Sequence, residues 1–182
     1  MGCSASKTYR GGNSLRIVMV GLDGSGKTTL MYRLVTGEVT EATPTLGFNV
    51  ETITYKDNEF TIWDMGGQEN IRRLWRHYFL RIRGILFVID SADNDRIDEA
   101  QELLDELLQH NELLGTPIVV VANKQDLDGA MKEKDIVELL ELKHISGRLC
   151  TIQGTSAITG AGIHKALDNI LRFRHHMESS RG

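Results

Sequence analysis

Ile17-Val18-Met19-Val20-Gly21-Leu22-Asp23-Gly24-Ser25-Gly26-Lys27-Thr28-Thr29-Leu30 reads as a strand that runs into a glycine-rich turn and out into a helix. Gly21, Gly26, Lys27 and Thr28 have the spacing of a phosphate-binding loop, in the strand-to-helix setting such a loop requires. A phosphate chain wrapped by backbone needs N–H groups free of Cβ crowding. Glycines at 21, 24 and 26 give that freedom, and the dipole of the following helix adds to it. Lys27 brings a point charge for the outer phosphates, and the Thr28 hydroxyl is a hard-oxygen ligand suited to Mg²⁺. Asp23, Gly24, Ser25, Gly26 and Thr29 complete the candidate phosphate-binding set. The stretch implies a nucleotide without saying which one.

Outward from this loop, apolar runs predict strands over 50–55 and 59–64, joined by a turn at Lys56-Asp57-Asn58-Glu59, and then over 84–90, 117–122 and 149–153. Ile97, Ala100, Leu104, Leu107 and Leu108 recur at helical spacing before Gly115-Thr116-Pro117. Ile163, Leu167, Ile170 and Leu171 form a similar stripe. Both stripes read as core faces. Strands alternating with such helices imply an α/β fold, a mostly parallel sheet with helices on both faces and one antiparallel edge strand supplied by the hairpin. In sheets of this kind ligands sit beyond the carboxyl ends of the strands.

Two polar motifs stand at such ends. Asn123-Lys124-Gln125-Asp126 follows the 117–122 strand. Asp126 can accept hydrogen bonds from the N1–H and exocyclic amine of guanine, whereas adenine would leave a carboxylate unpaired, so a site of this kind rejects the wrong base strongly. Lys124 offers an alkyl stem to cover the base, and Asn123 can tie this loop to the phosphate loop. Asp64-Met65-Gly66-Gly67-Gln68 follows the 59–64 strand. Asp64 is placed to hold a Mg²⁺ shell, Gly67 to bring a backbone N–H to a γ-phosphate, and Gln68, a poor base, to position an attacking water. The alternative for Asp64, an exposed turn residue capping a strand, leaves the adjacent Gly66-Gly67-Gln68 unexplained.

Length and charge bound the remaining possibilities. The 182 residues have room for about one domain. With 21 basic and 25 acidic side chains the net charge is −4, so the bulk positive charge of a nucleic-acid binder is missing and no nucleic-acid partner is expected. No apolar run approaches the roughly 18 residues that span a bilayer. Cys3 and Cys150 give neither a disulfide framework nor metal-ligand spacing, and no signal-like segment follows Met1, which implies a reduced, cytoplasmic protein. Cys150 reads as a small buried hydrophobe of the core. The six histidines fit no metal pattern. Arg72, Arg73, Arg76, Arg81 and Arg83 form a basic run, read as a solvated face with docking of acidic partners or anionic lipid as the alternative.

The phosphate loop, Pro44-Thr45-Leu46-Gly47-Phe48-Asn49, Trp63-Asp64-Met65-Gly66-Gly67-Gln68, Leu74-Trp75-Arg76-His77-Tyr78-Phe79 and Asn123-Lys124-Gln125-Asp126, in this order, resemble an Arf or Arf-like small GTPase from about Leu15 onward. The resemblance implies a Ras-type fold over 15–182, a single domain that binds GTP or GDP with Mg²⁺ and hydrolyses GTP slowly without an activating protein. It places Thr45 in the first switch, reaching Mg²⁺ beside Thr28 and Asp64, and makes Gln68 the catalytic residue of the second. Thr155-Ser156-Ala157 matches the last guanine-contacting loop, with Ser156 where relatives often carry Cys and a backbone N–H reaching the base. Phe48, Trp63 and Tyr78 match an apolar cluster that effectors contact, and the hairpin between the switches is one that shifts register in relatives. The implied partners are an exchange factor, an activating protein and effectors of vesicle trafficking, with the protein itself a monomer.

Residues 1–14 read as a flexible arm. Met1-Gly2-Cys3-Ser4-Ala5-Ser6 fits N-myristoylation of Gly2, and Cys3 offers a place for a second acyl chain. One chain binds membranes marginally and two anchor stably; the resemblance implies a cytoplasmic protein reversibly attached to the Golgi or another endomembrane. The arm departs from Arf relatives in lacking the Leu/Phe stripe of an amphipathic helix. Two rivals stay open on sequence alone: a nucleotide-dependent scaffold with negligible turnover, and an ATP-dependent phosphotransferase, which would have no use for Asp126.

Overall fold

The structure, a computed structural model, describes residues 14–39 and 42–180. Its elements run β1 (Leu15–Val20), α1 (Lys27–Thr36), β2 (Phe48–Tyr55), β3 (Asn58–Met65), α2 (Glu69–Arg72), β4 (Gly84–Asp90), α3 (Ile97–Leu108), β5 (Ile118–Asn123), α4 (Glu133–Leu139), β6 (Cys150–Gly154) and α5 (Ile163–Ser179). The strands form one sheet in the order β2-β3-β1-β4-β5-β6. Every pairing is parallel except β2 with β3, so the expected antiparallel edge strand is β2.

Period-2 alternation divides the core into two layers. Ile17, Met19, Leu86, Val88, Val119 and Val121 face α1 and α5, whose Leu30, Met31, Ile163, Leu167 and Ile170 close that side. Val18, Val20, Ile85, Phe87 and Val120 face α3, α4 and the segment around Trp75 and Phe79. Apolar residues at nearly every position of β1, β4 and β5 are therefore what a sheet buried on both faces demands. The hairpin turn is tighter than the four residues expected. Tyr55 pairs with Asn58, and Lys56 and Asp57 both have positive φ (47° and 60°), the conformation of a two-residue turn that matches strand twist.

Two expectations need correction. Cys150 is half-buried on edge strand β6, flanking the core and not within it, although burial still pushes its thiol up to about 11. Arg72 is no solvated side chain, since its guanidinium bridges Gly67 O and Glu99, while Arg73, Arg76, Arg81 and Arg83 are exposed. The proposed arm lies outside the described residues apart from Ser14, whose hydroxyl bonds Thr61 Oγ1 at 2.8 Å. Gly2 and Cys3 also lie outside them. No helix among the described residues is long and apolar enough to cross a membrane.

Candidate functional site

Because β1, β3, β4, β5 and β6 are parallel, the loops after their carboxyl ends gather at one end of the sheet. A cavity of about 390 Å³ opens there, lined by Asp23, Gly24, Gly26, Lys27, Thr28 and Thr29 of the first loop, Ala42–Thr45, Gly66-Gly67-Gln68 and Lys124.

The phosphate loop closes tightly because its glycines have no Cβ. Gly26 has φ +89°, and a Cβ on it would lie 2.4 Å from Asn123 Nδ2. Lys27 is buried, with Nζ donating to the Gly21 and Leu22 carbonyls at 3.0 and 2.7 Å. Burial lowers its pKa to about 8, with the Asp64 and Asp23 carboxylates opposing that drop.

Three oxygen-bearing side chains meet opposite Lys27. Thr28 Oγ1 donates to Asp64 Oδ2 at 2.7 Å and lies 2.9 Å from Thr45 Oγ1, and Thr45 Oγ1 donates to the same Oδ2 at 3.4 Å. Asn49 Nδ2 adds a bond at 3.3 Å. Asp64 is wholly buried, which removes the reading of it as an exposed turn cap, and its Oδ1 has no hydrogen-bond partner. Burial raises its pKa against these donors and the Lys27 charge. A carboxylate and two hydroxyls are hard ligands, and Asp64 Oδ1 is a buried acceptor with no donor among the described residues, so the group suits Mg²⁺.

Backbone contacts join the two loops flanking this cluster. Gly66 N donates to Gly47 O at 2.8 Å, and a Cβ on Gly66 would lie 2.5 Å from Thr45 O. Gly67 lies against the phosphate loop, where a Cβ would come 2.4 Å from Asp23 N and 2.6 Å from Gly21 O. Gln68 follows at the start of α2, half-buried and lining the cavity.

Asn123 is the hub of the base-side loops. Its Nδ2 donates to Ser25 O at 2.9 Å, and its Oδ1 accepts from Thr155 Oγ1 and Ala157 N, both at 3.1 Å. Lys124, at φ +66°, extends its ammonium to Asp90 Oδ2 at 2.5 Å, and Asp126 is exposed. Ser156 and Ala157 are buried, and the Ser156 N–H already donates to Ala161 O at 3.0 Å. Thr155 N donates to Ala122 O at 2.9 Å, so all three amides of Thr155-Ser156-Ala157 already have acceptors within the protein.

A sequence model of the family described as "ADP-ribosylation factor family" matches residues 4–173. The chain belongs to this family of small GTPases. It is 48% identical over 160 residues to ADP-ribosylation factor J of Dictyostelium discoideum, covering 88% of this chain and 85% of that protein. Among solved structures it resembles the Arl6 BBS3 small GTPase of Trypanosoma brucei with bound nucleotide analogue GppNp. There the TM-score is 0.79 at 32% identity, over 88% of this chain and 96% of that one. The Ras-type GTPase fold is therefore the fold of this Arf-family chain.

The aromatic cluster of this Arf-family protein lies at the end of the loop that carries Thr45. Phe48 stands 4.6 Å from Tyr78 and 5.2 Å from Trp63, ring centre to ring centre, and Trp63 stands 5.6 Å from Tyr78. Phe48 is exposed, while Trp63 and Tyr78 are half-buried against the core. The Arg16 guanidinium covers the Trp63 ring at 4.3 Å.

Sequence reasoning missed the residues that brace the site from outside it. Trp75 Nε1 donates to Gly66 O at 2.9 Å, Arg72 Nε to Gly67 O at 2.7 Å, and Arg96 to Asp23. Arg72 stands in a charge run, Arg96 before a core stripe and Trp75 in a motif read only for its family likeness, and the Arg96 contact spans 73 positions with no local pattern to announce it.

Proposed function

We propose that this Arf-family GTPase is a Mg²⁺-dependent switch that binds GTP or GDP, hydrolyses GTP slowly until an activating protein supplies the missing charge, and recruits effectors at an endomembrane surface. The observation that carries this reading is the convergence of Thr28, Thr45 and Asn49 on Asp64. It joins the phosphate loop, the first switch and the start of the second at one carboxylate. A GTPase whose two switch loops meet at its cation cluster has a direct means of reporting the outermost phosphate.

Thr28, Thr45 and Asp64 would hold Mg²⁺, which supplies charge neutralisation between the outer phosphates when bound. Lys27 and the loop amides bind the phosphate chain. Gly67, free of a Cβ, lets its N–H approach the terminal phosphate, and Gln68 orients water there. Asp126 accepts from the guanine edge while the Lys124 stem, held by Asp90, covers the ring. Phe48, Trp63 and Tyr78 form the effector surface, whose exposed and half-buried rings beside the switches suit a partner hot spot. The GppNp in the Trypanosoma brucei Arl6 structure supports a triphosphate in this cavity. Acylation at Gly2 and Cys3 supplies reversible attachment of an otherwise cytoplasmic monomer, with exchange and activating proteins setting its state.

Competition among GTP, GDP and ATP, with and without Mg²⁺, tests the reading. Guanine preference that weakens in Asp126→Asn, with Mg²⁺ tightening GTP, is the expected result. Equal or better ATP binding would leave only a phosphate loop and return the phosphotransferase to contention.

A further inference from the structure

Asp23 is an acid on the wall of a cavity that this reading fills with phosphate, where a carboxylate opposes the ligand. Its surroundings offer the compensation. Arg96, immediately before α3, donates from Nη1 to Asp23 Oδ1 at 3.3 Å and from Nη2 to the Asp23 carbonyl at 3.0 Å. Its Nε donates to Asp93 Oδ2 at 2.7 Å, so Asp93 aims the guanidinium and the rest of the fork is spent on one phosphate-loop residue.

The carbonyl bond matters as much as the ion pair. The Asp23–Gly24 peptide is trans, so a C=O held from the α3 side turns the Gly24 N–H the other way, and Gly24 lines the cavity. The adjoining Gly67 loop is braced from the first turn of α3. Glu99, three residues beyond Arg96, accepts from Arg72 Nη2 at 2.8 Å while Arg72 Nε holds Gly67 O, and Gly67 abuts the Asp23 backbone. The first turn of α3 thus grips the phosphate loop and the second switch where the two touch.

We propose that Arg96 is a positioning residue for phosphate-chain length: by neutralising Asp23 and fixing the Gly24 N–H, it lets the loop accept a triphosphate over a diphosphate. The proposal rests on the assignment of this cavity to the phosphates of a guanine nucleotide. An uncompensated Asp23 carboxylate repels the more highly charged ligand more strongly, so losing Arg96 penalises GTP beyond GDP. A bracing role without charge would weaken both alike.

The test measures affinities for GDP and GppNHp at low salt with the full chain as wild type, Arg96→Ala, Arg96→Lys and the double variant Asp23→Ala/Arg96→Ala. The expected result is a fall of about tenfold in the triphosphate-to-diphosphate affinity ratio for Arg96→Ala, the size of one partly screened charge interaction. Arg96→Lys regains part of it, keeping the charge without the fork. The double variant regains most of it, and raising salt shrinks the difference. An unmoved ratio, or a lowered one that Asp23→Ala fails to lift, overturns the proposal. Should Arg96→Ala fail to fold, Asp93→Asn loosens the same guanidinium and must lower the ratio in the same direction. Wild-type protein that binds neither nucleotide would overturn the cavity assignment itself, whereas normal wild-type binding with an unmoved ratio overturns only the role of Arg96.

Discussion

Lys27 makes a measurable demand on the protein stripped of nucleotide. Only 5% exposed, it spends its donors on the Gly21 and Leu22 carbonyls, and burial lowers its pKa from 10.5 to about 8. Below pH 8 the folded and unfolded chains both carry the charge, and the folded state bears the full cost, about 3 kcal/mol for a shift of this size. From pH 8 toward 10.5 the unfolded chain keeps a proton that the folded chain has released, so the free energy of unfolding rises with pH. Cys150 works the other way. Its thiol is raised by burial from 9.0 to about 11, so over that window the unfolded chain loses its proton first and stability falls. Urea titrations should therefore compare Cys150→Ala alone with Cys150→Ala/Lys27→Met. The chain that keeps Lys27 should gain about 1.4 kcal/mol per pH unit above pH 8 relative to its partner. Unfolding is a cleaner readout than affinity, because guanine itself loses its N1 proton in alkali. A difference between the two chains that stays flat or falls as pH rises would refute the reasoning.

Asn123→Ala removes three hydrogen bonds among buried loops and strands Ser25 O, Thr155 Oγ1 and Ala157 N, so it should cost about 3 kcal/mol in chemical denaturation and speed GDP release. Gly67→Ala places a Cβ within 2.6 Å of the Gly21–Asp23 backbone and should cut affinity for GppNHp at least tenfold more than affinity for GDP, by roughly 1.4 kcal/mol, in a displacement titration. Gln68→Leu should keep nucleotide binding and lose stimulated hydrolysis; undiminished phosphate release with an activating protein would remove Gln68 from its role. Cys3→Ser should shift the protein from the membrane to the soluble fraction of cells, and unchanged partitioning would end the two-chain anchor.

The parts of the fold that could be read from sequence are those with a repeating physical demand. β1, β4 and β5 are buried on both faces and so appear as nearly continuous apolar runs, while α3 and α5 bury one stripe and so appear at helical spacing. Helix α4 has no such signature. Its seven residues include Glu133, Lys134, Asp135 and Glu138 and bury only Ile136, so neither length nor periodicity marks it. The site divides on the same principle. Its phosphate and base loops announce themselves because each is contiguous and needs particular residue types. Arg72, Arg96, Glu99 and Trp75 act through partners that only the fold brings near, and a single Arg in a charged helix start carries no sign of its target.

Between the braced loops lie two buried charges that the chain does not neutralise with each other. Lys27 lines the cavity and Asp64 lies behind the Thr28 and Thr45 hydroxyls that line it, yet Lys27 is held by carbonyls and Asp64 Oδ2 by hydroxyls and an amide, so neither spends its hydrogen bonds on the other. Burial disfavours the charged form of both, lowering the lysine pKa and raising that of the aspartate, and Asp64 Oδ1 remains without a partner. An anion relieves the first and a cation the second. A ligand that carries both charges relieves them together, so its binding free energy includes a stabilisation of the fold, and nucleotide and Mg²⁺ should each raise the unfolding temperature most when the other is present. Additive shifts from the two would mean that the anion and the cation bind independently, and the coupling drawn from the shared burial of Lys27 and Asp64 would fail.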